Sequence, residues 1–310
     1  MDNAAVPGSI TAGPTLALAY RPPYDWAGVR AFLAARAIPG VEAPGPDGPY
    51  ARTVRVGTRR GILTVAPGAG CLIATLDGLD SADLTAARDR LRALFDCDAD
   101  PAAIAARLGC DPHLGPLVAA RPGLRLPGAW DPFETGCRAI LGQQVSVAAA
   151  RRLAGRLVAA FGAALMTPAD GLTHLFPRPE DLVEADVALA LNMPRARGAA
   201  VQALAGAALS DPELFAPAAS LEAAVARFTA IRGVGPWTAQ YIALRALKLP
   251  DALPLADVGL LRALDRGTGR PSPAQLLAQA EAWRPFRAYA AQHLWAADEA
   301  ALRGTTARTG

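Results

Sequence analysis

Gly233-Val234-Gly235-Pro236 is the stretch of this 310-residue chain with the clearest chemical potential. Two glycines flanking one residue suit a turn that needs positive φ, or a bare backbone pressed against a partner. Proline fits the first position of a helix, where its missing N–H costs nothing. Helical patterns on both sides make the stretch a hairpin between two helices, with unpaired N–H groups at the start of the second. Such an end attracts phosphate. Asp257 stands 22 residues beyond Gly235, ahead of Val258-Gly259-Leu260-Leu261, and taken alone it reads as a helix N-cap. Of 31 basic residues Lys248 is the only lysine, so it alone offers a side-chain amine for nucleophilic chemistry.

Composition bounds the partners. The net charge is only +3 with pI near 8.8, so contact with nucleic acid must be local rather than a field over the whole surface. Cys71, Cys97, Cys110 and Cys137 are widely spaced, which indicates neither a zinc site nor a disulfide framework but reduced cysteines in a cytoplasmic protein. The N-terminus lacks the pattern of a signal peptide, and no run approaches the ~18 apolar residues of a membrane span.

The elements that must position these groups follow in chain order. Leu16 to Tyr20, Tyr50 to Val56, Gly61 to Val65 and Cys71 to Leu76 read as strands, with a helix from Asp25 to about Ile38 and another from Ser81 to Phe95. Beyond Pro101, helices are expected at about 101–108, 131–141, 146–161, 194–209, 219–231, 236–247, 257–265, 273–281 and 286–301. The chain therefore reads as mainly α with a small N-terminal α+β domain: a disordered N-terminus at 1–14, the α+β domain at 15–100, an all-α region at 101–303 and a disordered tail at 304–310.

The hairpin Phe228 to Ile242, Leu253-Pro254-Leu255-Ala256-Asp257, Ile140-Leu141-Gly142-Gln143-Gln144-Val145-Ser146 and the N-terminal Arg21-Pro22-Pro23-Tyr24-Asp25-Trp26 together resemble the helix-hairpin-helix (HhH-GPD) DNA glycosylases, and within them the 3-methyladenine DNA glycosylase II (AlkA) branch. The likeness covers nearly the whole chain. Related domains occur fused to methyl-accepting cysteine domains, for which these 310 residues are not expected to have room.

The resemblance implies an enzyme that flips a damaged base out of duplex DNA and hydrolyses its N-glycosidic bond in base excision repair. Asp257 matches the family's acid facing the sugar of the extruded nucleotide. One carboxylate is enough when the leaving base is already cationic, as with an N3- or N7-alkylated purine, because the base departs neutral without protonation. Phe32, Trp237, Tyr241 and Trp295 match the aromatic pocket, where a charged base gains cation–π energy of ~0.5–2 kcal/mol per ring; singly, each reads as core packing. Gln144 falls where the family wedges a side chain, usually apolar, into the duplex, although Ser146 beside it is a good N-cap. Gly233, Gly235 and Thr238 are candidate phosphate contacts, with Arg232 and Arg245 as possible added charge. The carbonyls of Thr229, Ile231 and Val234 match positions that hold a monovalent cation, sodium or potassium. No other cofactor is expected, and an iron–sulfur variant is not, since no cysteine follows Cys137. Trp237 stands where bifunctional members carry their attacking lysine, which implies a monofunctional enzyme without lyase activity. The implied protein is a cytoplasmic, nucleoid-associated monomer. A non-catalytic helix-hairpin-helix DNA-binding or damage-recognition protein, and a small-molecule enzyme with a coincidental hairpin, are the alternatives.

Overall fold

The computed structural model describes residues 13–45, 48–265, 267 and 269–306. The N-terminal unit contains β1 (Thr15–Ala19), α1 (Trp26–Arg36), β2 (Glu42–Pro44), β3 (Tyr50–Val56), β4 (Arg59–Pro67), β5 (Cys71–Asp77), a 3-10 turn (Ser81–Asp83) and α2 (Leu84–Leu94). Its strands form one antiparallel sheet in the order β1-β5-β4-β3-β2, with Leu16 opposite Ala74 and Leu63 opposite Leu76. Alternation puts Leu63 and Val65 of β4 and Leu72, Ala74 and Leu76 of β5 into one core with Leu91, Phe95 and Trp130.

The remainder comprises α3 (Pro101–Leu108), α4 (Leu114–Ala120), α5 (Pro132–Leu141), α6 (Val147–Phe161), β6 (Ala164–Ala169), β7 (Leu172–His174), α7 (Pro179–Leu182), α8 (Val187–Leu191), α9 (Arg195–Ser210), α10 (Leu221–Thr229), α11 (Pro236–Arg245), α12 (Val258–Ala263), α13 (Pro273–Ala280), a 3-10 turn (Glu281–Trp283) and α14 (Arg287–Thr306). The sequence starts these helices with side-chain caps: Asp131 accepts from Phe133 N at 2.9 Å ahead of Pro132, and Ser146 from Ala149 N at 3.2 Å. No helix among the described residues is long and apolar enough to cross a membrane.

Two helical cores meet on α11. Ala239 and Ile242 belong to a cluster with Ile140, Leu157, Leu204 and Phe228, whereas Ala243 and Leu244 belong to another with Leu126, Leu260, Trp283 and Leu294. The body of α11 is thus packed from both sides, and beyond its exposed start at Pro236 only Trp237, Gln240 and Tyr241 among its residues stay partly exposed.

Three expectations are corrected. The region 101–303 is not wholly helical, because β6 and β7 form an antiparallel hairpin. Asp170 and Gly171 both take positive φ, 48° and 80°, the signature of a primed two-residue turn. This hairpin leans on the N-terminal sheet, with Thr53 Oγ1 donating to His174 O at 2.8 Å. The N-terminal boundary also shifts: Gly13 N donates to Asp77 Oδ1 and Pro14 O accepts from Leu76 N, so these two residues already pair with β5. At the other end α14 continues through Thr306; the rest of the expected disordered ends, 1–12 and 307–310, lie outside the described residues.

A buried charge network joins the two units. Glu134 of α5 receives Arg52 Nη2 from β3 at 2.6 Å and Arg138 Nη2 at 2.6 Å. Arg138 also pairs with Glu42, which accepts from Tyr50 OH at 2.6 Å. Burial by itself would raise the Glu134 carboxyl, but the Arg52 and Arg138 guanidiniums overcome it and hold the group below the ordinary carboxylate range. Glu134→Ala strands the buried Arg52 guanidinium, leaves Arg138 with Glu42 as its carboxylate partner, and should cost about 3–5 kcal/mol in urea denaturation. Because the folded carboxyl is depressed, its contribution is complete above the unfolded value of about 4.3 and is lost as pH falls through the lower folded one. The stability gap between wild type and Glu134→Ala should accordingly narrow below about pH 4; a gap that stays constant to pH 3 would count against this ion pairing.

Candidate functional site

The hairpin between α10 and α11 closes through Val234 N donating to Ile231 O at 3.0 Å. Gly233 has φ +84°, and a Cβ there would lie 2.5 Å from the Ala200 Cβ of α9, so only glycine fits. Gly235 is different. It is the N-cap of α11 with ordinary φ −85°, and a Cβ on it would meet nothing within 4 Å. Its exposed backbone is free for another molecule to approach, at a helix end whose first N–H groups are unsatisfied. Thr238 is 2% exposed and its hydroxyl accepts from Gln143 Nε2 at 3.0 Å, so its side chain braces the protein from within, while its backbone N–H lies in the first turn of α11, where donors lack intrahelical partners.

Gln143 is a residue that the sequence reading overlooked. Its amide also donates to Gly233 O at 3.0 Å, and its own carbonyl accepts from Arg197 Nη2 at 2.8 Å. The loop after α5 is thereby fastened to the hairpin and to the first turn of α9. Gln144, next in sequence, is exposed and has φ +57°, a left-handed conformation that costs energy for a residue with a Cβ. The bracket made by Gln143 holds that conformation and presents Gln144 at the same edge as the hairpin.

Asp257 joins three of the four expected aromatic residues. Its Oδ2 accepts from Trp237 Nε1 at 3.0 Å; its Oδ1 accepts from Trp295 Nε1 at 2.9 Å and from Leu260 N at 3.1 Å. The capping role and the site role therefore coexist in one carboxylate. Trp237 and Tyr241, four residues apart on α11, lie on one face and stack at 5.3 Å with 16° between planes. Tyr241 meets Trp295 of α14 edge-on at 6.3 Å. Gly259 lets α12 approach α14: a Cβ there would be 3.1 Å from Asp257 Oδ1 and 3.2 Å from Trp295 Cδ1. The result is a half-buried acid fixed by two indole N–H groups beneath a set of rings, able to face a developing positive charge.

Phe32 is not a free member of this group. The Arg36 guanidinium lies 3.9 Å from its ring centroid and that of Arg245 4.2 Å. The Phe32 ring is thus already engaged by two guanidiniums of the protein itself. Arg245, expected as possible surface charge, is 2% exposed and sits behind the rings. Burial pulls its guanidinium down to about 10, against some support from Tyr241. Lys248 is likewise committed: Nζ binds Asp96 Oδ1 at 2.7 Å and the Leu126 carbonyl, and burial lowers its pKa despite the carboxylate. His293 packs in the core, where burial lowers it to about 4 and keeps it neutral. Among the described residues no cluster of His, Cys, Asp or Glu could hold a metal ion. Thr229, Ile231 and Val234 fall between the last residue of α10 and the start of α11. Ile231 O spends one lone pair on Val234 N, and Thr229 ends α10, where carbonyls lack intrahelical partners. Such an all-carbonyl set suits a hard monovalent cation.

Residues 15–131 match the family model of the AlkA N-terminal domain. The chain is 43% identical over 286 residues to the probable bifunctional transcriptional activator/DNA repair enzyme AlkA of Mycobacterium tuberculosis, covering 91% of this chain and 56% of that protein. It thus spans little more than half the length of that relative. To DNA-3-methyladenine glycosylase 2 of Escherichia coli it is 38% identical over 282 residues, 90% of this chain and 95% of the other. The solved structure of the 3-methyladenine DNA-glycosylase from Archaeoglobus fulgidus shares the fold, with a TM-score of 0.79 at 22% identity over 92% of this chain and 98% of that one.

The Gln143 bracket yields a test that needs no ligand. Gln143→Ala removes two hydrogen bonds at a buried hydroxyl and a turn carbonyl and should cost about 1–2 kcal/mol. Amide exchange should quicken in both the loop at 142–146 and the hairpin at 232–235. Faster exchange in the loop alone would mean that the two segments are not tied through this side chain.

Proposed function

The chain belongs to the DNA-3-methyladenine glycosylase II (AlkA-type) family of helix-hairpin-helix glycosylases, and from that premise we propose that it excises alkylated purines, such as 3-methyladenine and 7-methylguanine, from duplex DNA. The observation that carries the reading is the Asp257 carboxylate, held by the indoles of Trp237 and Trp295 beside a hairpin with open backbone donors. A duplex approaching the exposed edge would set a phosphate on the first N–H groups of α11 at Gly235, a contact that positions without reading bases. Gln144, projecting from its left-handed loop, enters the stack and hydrogen-bonds the orphaned partner base. The extruded nucleotide then stacks among Trp237, Tyr241 and Trp295. As the glycosidic bond lengthens, Asp257 faces the oxocarbenium-like sugar and aligns water for its capture, while an alkylated base leaves neutral.

Hydrolysis rather than lyase chemistry is supported by the family likeness, which puts Trp237 where bifunctional members carry their attacking lysine, and by Lys248 being bound to Asp96. We further propose that the Thr229, Ile231 and Val234 carbonyls bind a sodium or potassium ion that stiffens the hairpin, and that the protein acts as a monomer in the cytoplasm, on the nucleoid. A purely DNA-binding role accounts for Asp257 as the cap of α12 but not for the two indole N–H groups that converge on it.

Asp257→Asn should abolish single-turnover base release, by at least about 100-fold, while affinity for an abasic-site duplex stays within about threefold. Excision near the wild-type rate would remove Asp257 from the chemistry. Borohydride added during turnover of a lesion-bearing duplex should trap no covalent complex, and strand breaks should appear only after alkali or heat. Efficient trapping would overturn the monofunctional assignment, and the cross-linked residue would identify the amine responsible.

A further inference from the structure

The ring group beside Asp257 already holds a cation of its own. Arg245 is 2% exposed; Nη1 donates to Pro127 O at 2.9 Å, Nη2 donates to Gln292 Oε1 at 2.7 Å, and Nε has no hydrogen-bond partner. Both acceptors are neutral, and among the described residues Arg245 makes no ion pair. The carboxylate whose field reaches it, Asp96, is already bonded to Lys248 Nζ at 2.7 Å and to Tyr289 OH at 3.1 Å. The guanidinium lies 4.2 Å from the Phe32 ring, 5.2 Å from Trp295 and 5.7 Å from Tyr241. Trp295 and Tyr241 are half-buried, whereas Arg245 is wholly buried, so it occupies their inner side and leaves the outer side to a ligand.

An uncompensated buried cation is costly, and here it acts on the electrostatics of the pocket. A cation–π contact improves binding of a charged base by roughly 2- to 30-fold. Two unit charges roughly 8 Å apart at an effective dielectric near 20 repel by a factor of about 30. The two effects are of the same size and opposite sign. Resting on the glycosylase reading above, we infer that Arg245 is a specificity-determining residue: its unpaired charge behind Tyr241 and Trp295 offsets the attraction of those rings for a cationic base and sets the balance between cationic and neutral purine lesions.

The test is the ratio of single-turnover excision rates for 7-methylguanine, which is cationic, and hypoxanthine, which is neutral, in otherwise identical duplexes. Arg245→Gln removes the charge and should raise the ratio by about tenfold or more. Gln292→Glu keeps the guanidinium and its packing but places a carboxylate on Nη2; it should raise the ratio in the same direction, and it decides alone if Arg245→Gln does not fold. Arg245→Lys keeps the charge and should hold the ratio within about threefold of wild type. A ratio unmoved in Gln292→Glu, or rates for both lesions that fall together in Arg245→Gln, would overturn the inference and leave Arg245 a packing residue. Failure of the wild-type protein to release either base defeats the glycosylase reading itself and is read before any variant.

Discussion

The site depends on the buried pairing of Glu134 with Arg52 and Arg138, because those three side chains set how the N-terminal unit sits on the helices. Glu134 and Arg138 are one turn apart on α5, and the Arg138 guanidinium also donates to the Arg36 carbonyl, at the end of α1, at 2.8 Å. One helix therefore fixes two things: the end of α1, which carries Phe32 and Arg36, and the loop that carries Gln143 and Gln144. An apolar interface of equal size would hold the units together about as well. What charges add is direction, since these short charge-assisted contacts are satisfied in one register, and a slip by a residue would strand an ion in the core.

Around that junction the rim is assembled from segments far apart in sequence. Trp237 and Tyr241 come from α11, Asp257 from the turn before α12, Trp295 from α14 and Gln144 from the loop after α5. None of these touches more than two of the others directly, and each is held by groups with no evident chemical role: Gln143 on the hairpin, the Leu260 N–H on Asp257, and Gly259 in the gap between α12 and α14. Preorganisation of this kind lets a single carboxylate suffice, because little rearrangement remains when charge develops opposite it.

Local features were legible in the sequence, and long-range ones were not. The capping residues Asp131, Ser146 and Asp257, the Gly233 turn, the i,i+4 pair Trp237 and Tyr241, and four of the sheet strands follow from neighbours a few residues apart. The family likeness singled out Asp257 with its aromatic group, and the fold sets that group together. Arg245 departs from its expectation because a guanidinium in a sequence looks available, and only tertiary packing reveals that three rings enclose it. Asp170-Gly171 is an instance of a readable signal that was overlooked, since that dipeptide between short apolar runs is a strong hairpin mark. Short α7 and α8, and α4 with its internal Gly115-Pro116, leave too few turns for periodicity to register.

The position of α11 between two cores has a consequence for how this protein can vary over time. Most surface helices own one solvent face on which substitutions drift freely, but here successive residues Ile242 and Ala243 answer to different hydrophobic clusters. Innovation at this helix is confined to the few positions that both cores leave partly open, and a newly useful pocket must draw mainly on residues that approach it from α1, α12 or α14. The wall stays constant while the furniture around it is exchanged.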